Sequence, residues 1–474
     1  IEDMSYRPEM KTDDNGYRLI VRAIGSGFEN QEGGCPADEM DLSRQVYEKL
    51  GLDPNDPPAM TFQSPYVFIE DYFIGLGDEE LETLGKSLSP ESEVSAESAD
   101  VEPDAGGDGA TEEPYVEENP ASVDGDPYGG EYDPFGEFEA SHPEVNGGAT
   151  DEEDDEYAGE YASESYGGDE YYVRAFEPYE VQDLVEVKVT EPWTYDELPM
   201  MQQWLEDNSP ALDVVAEAVR KPYFIVPITR HDEESLIFES VLADVNLLRD
   251  LAKGFEVRVN YRLGTGDIDG AIDDMVSLKL LGRKGGDCGS AIGCFVGVGI
   301  ESLAEGAGPA GTLEQPASEE QLQRIVKELH EIPPRVSFEK VAMYERLEEL
   351  DLVQHIATGT PLSEIMGDDS VVARGIISMG YDWNTVMERY NENFDTIAAV
   401  GGFDSPDLII TSDWLTMQRR SCLMGDLLTG LFCHVGYHFK EAGYRSQCVE
   451  NLRRITLAML LYEKEHGTLP PAWT

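Results

Sequence analysis

From about residue 195 onward, apolar positions recur at steps of three and four and almost never alternate, which predicts a mainly α chain. Ile237, Val241, Val245, Leu248, Ala252, Phe255 and Val259 trace one stripe of a long amphipathic helix. After the turn Gly264-Thr265-Gly266, the positions Ile268, Ala271, Ile272, Met275 and Leu278 mark a second helix, so the two read as an antiparallel helical hairpin. Upstream, Ser209-Pro210 reads as an N-cap with a first-turn proline, and Lys221-Pro222 as the stop of that helix. Ser318 to Gln321 is a capping box that opens a helix through Leu322, Ile325, Val326 and Leu329, closed by Pro333-Pro334. Further helices are expected to carry Tyr344, Leu347 and Leu350, and then, from near Asp382, Val386, Tyr390, Phe394 and Ile397. The last runs from Gln447 to about His466, with Cys448, Leu452, Ile455, Met459 and Tyr462 at helical spacing. Gly467 stops it, and Pro470-Pro471 prevents resumption.

The first 86 residues have a different pattern. Two apolar runs, Tyr17–Ile24 and Pro65–Ile74, flank a short helix over Asp41–Leu50, and together they suggest a small N-terminal α/β part. Between Ser87 and about Tyr172 the apolar period disappears, leaving Gly, Ser, Pro, Glu, Asp and Tyr. Such a segment buries too little to offset the entropy of ordering, so a disordered acidic linker is expected over 87–172. Its tyrosines (Tyr157, Tyr161, Tyr166, Tyr171 and Tyr172) are candidate contact points on an otherwise solvated spacer. The helical hairpin domain is placed at 173–444.

Charge narrows the function classes. The chain carries 97 acids against 33 bases, a net charge of −64. The window from Ser87 to Val173 contains no Lys or Arg, yet the remainder is strongly acidic as well. Nucleic acid and anionic lipid both require clustered bases to neutralise phosphate, so a nucleic-acid partner is excluded and a protein partner or cation is favoured. The longest apolar stretch, Ala291–Ile300, is about half of what a bilayer span needs. Cys35, Cys288, Cys294, Cys422, Cys433 and Cys448 are too sparse for a disulfide framework, and no C-x-x-C occurs.

Few residues suggest chemistry. Gly264 to Gly270 superficially resembles a phosphate or calcium loop. It does not follow a strand and lacks both the Lys-Ser/Thr pair and the oxygen-ligand spacing, so a hairpin turn explains it. Cys433-His434 with His438, flanked by Cys422 and Cys448, is the one metal-like cluster, its two histidines sharing a helix face at i, i+4. Its neighbours Leu428, Leu431, Phe432 and Val435 make it an apolar helix in which Cys and His are ordinary residents. No Gly-x-Ser-x-Gly is present, and Gly25-Ser26-Gly27 is not a nucleophile elbow. Glu345-Arg346, and Asp351 with His355, read as helix-surface neighbours. No catalytic, cofactor-binding or metal residue is assigned, no cofactor is expected, and the chain reads as a non-enzyme.

Two resemblances add to this. Tyr261, Gly264, Gly266 and Ala271-Ile272, within Leu248–Gly282, resemble the turn and packing alanine of a degenerate tetratricopeptide-type hairpin. The closing segment from Arg445, with Asn451-Leu452, Ile455, Ala458 and Tyr462 followed by His466-Gly467 and Pro470-Pro471-Ala472, resembles the helix and turn of pseudopilin-like domains abundant in planctomycete bacteria. The wider order, with Pro192-Trp193, Leu198-Pro199, Trp204-Leu205 and Tyr381-Asp382-Trp383, is similar to a planctomycete family of uncharacterised envelope proteins. The resemblance implies the start of a truncated pseudopilin-like domain at 445–474. It also implies a cell-envelope or secreted location, with membrane association through a segment outside these residues. The expected function is a non-catalytic scaffold or protein-interaction protein. The alternatives are a structural component of a surface or secretion assembly and a metal-dependent hydrolase using Cys433, His434 and His438.

Overall fold

The computed structural model describes residues 7–26, 37–74, 76–88, 178–227, 229, 237–288, 290–314, 317–359, 380–400 and 417–471. In chain order the helices are α1 (Gly16–Ile24), α2 (Ala37–Lys49), α3 (Pro65–Ile74), α4 (Asp78–Leu88), α5 (Pro178–Lys188) and α6 (Met201–Ala218). They continue with α7 (Ile237–Gly264), α8 (Ile268–Gly285), α9 (Ala291–Glu314), α10 (Glu319–Glu331), α11 (Phe338–Thr358), α12 (Trp383–Val400) and α13 (Met417–His466). A single turn of 3-10 helix, Gly286–Cys288, links α8 to α9. The mainly helical expectation holds: among the described residues the only extended pairing is one isolated parallel bridge, Asn15 with Tyr223.

The chain divides into two compact units, Ile1–Ile74 with Val185–Thr474, and Gly75–Leu184. The smaller contains α4, braced along its own surface by a Lys86–Glu82 ion pair, and the first turns of α5. Apart from Ser87 and Leu88, which close α4, the acidic window over 87–172 lies outside the described residues, as do its tyrosines.

The small α/β part is not found, because both apolar runs are helices. Tyr17, Ile20, Val21 and Ile24 are buried at i, i+3, i+4 and i+7 of α1. Tyr17 and Val21 meet Leu42, Val46, Tyr47 and Leu50, with Phe224 and Val226 beside them. So short an apolar run has no period that separates a strand from a buried helix, and packing against α2 and α6 decides. Ser209-Pro210 is also corrected: both residues lie inside α6 rather than at its start. The helix runs through the proline because Trp204, Leu205, Ala211 and Leu212 are buried on either side of it. The Ser209 carbonyl accepts from Arg258 Nη1 at 3.1 Å, which ties this turn of α6 to α7.

The α7–α8 hairpin forms as read. Val245, Leu248, Ala252, Phe255 and Val259 of α7 are buried, as are Ile268, Ala271, Ile272, Met275 and Leu278 of α8. Asp267 caps α8 by accepting from Gly270 N at 3.1 Å, and Gly266 takes the left-handed φ of 78° that the turn demands. α9 then packs on both helices of the hairpin. At Gly282 and Gly297 the backbones of α8 and α9 approach so closely that a Cβ on either would stand 2.6 Å from the other's carbonyl oxygen. The capping box on α10 is complete, with Gln321 N bonded to Ser318 Oγ at 3.2 Å and Ser318 N to Gln321 Oε1 at 2.9 Å. Val326 lies outside its buried stripe of Leu322, Ile325 and Leu329. α11, α12 and the first half of α13 share a separate apolar core around Val353, Tyr381, Val386, Tyr390, Phe394 and Leu428.

The expected break between 444 and 445 falls inside α13, which continues without interruption from Met417 to His466. Gly467, with φ 72° and its N–H on Glu463 O at 2.7 Å, ends the helix where the sequence places the stop.

Candidate functional site

The densest group of buried charge lies where α8, α9 and the second half of α13 meet. The close approach at Gly282 and Gly297 brings Lys279 and Arg283 of α8 against Glu301 and Glu305 of α9. α13 then presents Glu450 and Arg453 at i, i+3, both buried. Lys279, with no exposed surface at all, holds Nζ 2.9 Å from Glu305 Oε1 and 3.6 Å from Glu450 Oε2. Arg283 reaches Glu301 Oε1 at 2.8 Å through Nε and Glu450 Oε2 at 3.0 Å through Nη2. Arg335, from the segment after α10, places Nη2 2.9 Å from Glu301 Oε2 and donates from Nη1 to Gly443 O at 2.7 Å. Arg453 Nη2 donates to the backbone carbonyls of Ala304 at 2.8 Å and Glu305 at 3.1 Å.

Burial pushes the Glu450 carboxyl up, but Lys279, Arg283, Arg454 and Arg335 together overcome it, and the group ends below its ordinary range. Burial pushes the Arg453 guanidinium down to about 10, against the pull of Glu305 and Glu450. Glu305 Oε2 and Arg453 Nη1 are buried without a hydrogen-bond partner.

Glu301, Glu305 and Glu450 each offer a carboxylate oxygen, and these lie within 4.8 Å of one another, a spacing that suits a hard divalent cation. The bases around them do not suit one. Three carboxylates are faced by Lys279, Arg283, Arg335 and Arg453, so the cluster already carries more positive than negative groups. The Lys279 ammonium stands between two of the three carboxylates, where a metal ion would otherwise bind. The donor set therefore favours an internal ion-pair network that locks three helices together.

A second network clamps α6, α7 and α8. Arg258 forks onto Asp274, Nε to Oδ2 at 2.8 Å and Nη2 to Oδ1 at 2.6 Å, and reaches Asp213 at 2.8 Å. Arg262 adds 2.9 Å to Asp274 and 2.7 Å to the Gly270 carbonyl. The loop-like Gly264–Gly270 motif is thus a turn, braced from within. A third set of acids sits on α11. Burial first, and then its neighbours Glu345, Glu349 and Asp351, push Glu348 up to about 8. Burial and Glu345 push Glu349 to about 7.

The metal-like cluster read from sequence does not assemble as a whole. Cys422, Cys433, His434, His438 and Cys448 all lie on the single helix α13. At about 1.5 Å per residue Cys422 and Cys448 stand about 39 Å apart, so neither completes a site around the histidines. The side chains of Cys433, His434 and His438 lie outside the described residues. Cys422 is half-buried and Cys448 exposed, neither in a disulfide. Gly25 and Ser26 follow α1, and Ser26 Oγ bonds Ser43 Oγ at 3.0 Å. Glu345 and Arg346 are not mere surface neighbours. Glu345 accepts from Ala291 N at the start of α9, and Arg346 Nη1 pairs with Asp395 of α12 at 2.7 Å.

The buried network went unread in the sequence, although it left a signal. Lys279 interrupts the run Met275–Leu281, and Glu301 and Glu305 extend the helical period of Ala291–Ile300. Charges inside apolar stretches of helix mark pairs that tertiary packing must supply. Comparison with models of protein families, with curated proteins and with solved structures finds no match. Among the described residues, no helix is long and apolar enough to cross a membrane.

Proposed function

We propose that this protein is a non-catalytic scaffold of the bacterial cell envelope that works by binding other proteins. The observation that carries the reading is the orientation of α13. Its charged residues Glu450 and Arg453 turn inward and are spent on pairing, while Leu452 (58% exposed) and Ile455 (56% exposed) turn outward. The groups best suited to chemistry hold helices together, and the apolar groups best suited to a core are offered to solvent. An apolar strip on so acidic a chain marks an interaction surface. The acidic surface disfavours nucleic acid, and the envelope location follows from the resemblance of the closing segment.

Mild cross-linking in the native organism, followed by fractionation, tests this. The expected result is a small set of proteins recovered with the chain from the envelope fraction, each rebinding the purified chain. Recovery from the cytosol with no partner that rebinds, or metal-dependent hydrolysis by the purified chain, would overturn it.

A further inference from the structure

The exposed positions on the second half of α13 are not scattered. Cys448, Leu452, Ile455, Met459 and Tyr462 follow one another at steps of four, three, four and three, and all are exposed. That is a mean period of about 3.5, the spacing of a coiled-coil seam, which keeps one apolar line facing one partner helix. The opposite face, Ser446, Glu450, Arg453 and Leu457, is buried at steps of four, three and four, so the helix is already held and oriented from behind. From Cys448 to Tyr462 the seam runs about 21 Å.

We propose that this seam pairs with the same seam of a second copy of the chain, antiparallel about a two-fold axis near Ile455. Charge selects that occupant. Two chains of net charge −64 repel wherever their general surfaces meet. Among the exposed charges of 445–466, by contrast, Arg445, Arg454 and Lys464 outnumber Glu463 and Glu465, so here two copies can approach. The ends of the stretch complement each other in one direction only. Antiparallel pairing brings the exposed Arg445 of each copy opposite Glu465 of the other, and Cys448 opposite Tyr462. Parallel pairing would set Glu463 and Glu465 against their own counterparts. The arrangement is isologous and closes at two copies. A strip about 10 Å wide falls short of the ~800 Å² per partner of a stable interface, so the dimer is a weak one.

The inference rests on the scaffold reading only in taking this face of α13 as a binding surface, and sedimentation of the purified full chain tests it separately. The expected result is a monomer–dimer equilibrium whose dimer fraction rises with protein concentration. It also rises as salt goes from about 0.05 to 0.5 M, because screening removes the long-range repulsion and leaves the apolar seam intact. Leu452→Glu and the milder Leu452→Ser should each weaken the dimer, Leu452→Glu by about tenfold or more, with unchanged helical circular dichroism. In Tyr462→Cys, gentle oxidation should give an intermolecular 448–462 disulfide mapped by mass spectrometry. A predominant 448–448 link would overturn the antiparallel arrangement. A monomer at every concentration and salt, or a dimer indifferent to both Leu452 variants, would overturn the inference. If such a monomer still rebinds its envelope partners, the scaffold reading stands without it; a seam dimer with no envelope partner gives the reverse.

Discussion

The α7–α8 hairpin and the second half of α13 carry the same kind of sequence, apolar residues at helical spacing with charges between them, and bury opposite faces. In the hairpin the apolar stripe faces inward, and Arg258 and Asp274 are admitted to the interior as a bidentate pair. In α13 the apolar stripe faces solvent, and Glu450 and Arg453 face the interior. The difference lies in what each helix meets. α13 lands on Lys279, Arg283, Glu301 and Glu305, which α8 and α9 have already drawn out of water. Turning α13 over would set Leu452 and Ile455 against those charges. Half-exposing an apolar side chain gives up about 1 kcal/mol, whereas an uncompensated buried charge costs about 3–5 kcal/mol. Pairing therefore outweighs apolar burial at this contact, and the helix takes the inverted face.

The largest expected effect comes from removing the cause of that inversion. Lys279→Met leaves Glu305 and Glu450 without the ammonium between them, and urea unfolding should show a loss of about 3–5 kcal/mol. Adding Glu305→Gln should restore part of it. A single variant as stable as the parent would mean that the network does not hold α13 in place. On the other side of the comparison, Ala271→Glu forces a charge into the apolar side of the hairpin, where Ala271 is 3% exposed. A loss of about 3 kcal/mol or more is expected by the same measurement.

Glu256 of α7 sharpens the contrast, because it is a buried acid without the dense pairing of Glu450. Burial pushes its carboxyl up to about 7, which the Lys253 charge only partly offsets. A carboxyl raised in the folded state contributes its full stability below its unfolded value and loses it as pH rises through 7. Glu256→Gln should therefore match the parent below about pH 4.5 and exceed it by about 3 kcal/mol above pH 8, read from melting across that range. Equal stability at every pH would show that the group is solvated after all. The smallest effect is local. Ser318→Ala removes one half of the capping box on α10 and should cost about 1 kcal/mol.

Much of the fold was legible because local physics dictates it. The α7–α8 hairpin, the Ser318 capping box, the start of α12 at Asp382 and the Gly467 stop each depend on residues within a turn or two of one another. Period, capping chemistry and glycine conformation were sufficient there. The sequence was misread where a short segment is indifferent by itself. Tyr17–Ile24 and Pro65–Ile74 have no period that excludes a strand, and Pro210 could open a helix or sit within one, until packing against neighbouring helices decided. The buried charge network was wholly a tertiary decision. Lys279, Glu301, Arg335 and Glu450 are spread across 172 positions, and the packing of α8 on α9 at the two glycines, with α13 and the segment after α10 laid against them, brings their partners within reach. The stripe on α13 shows the division most clearly. Its spacing was written in the sequence, but which face turned inward was settled by charges on other helices, because a buried charge must find its counter-charge and an apolar side chain need only find less water.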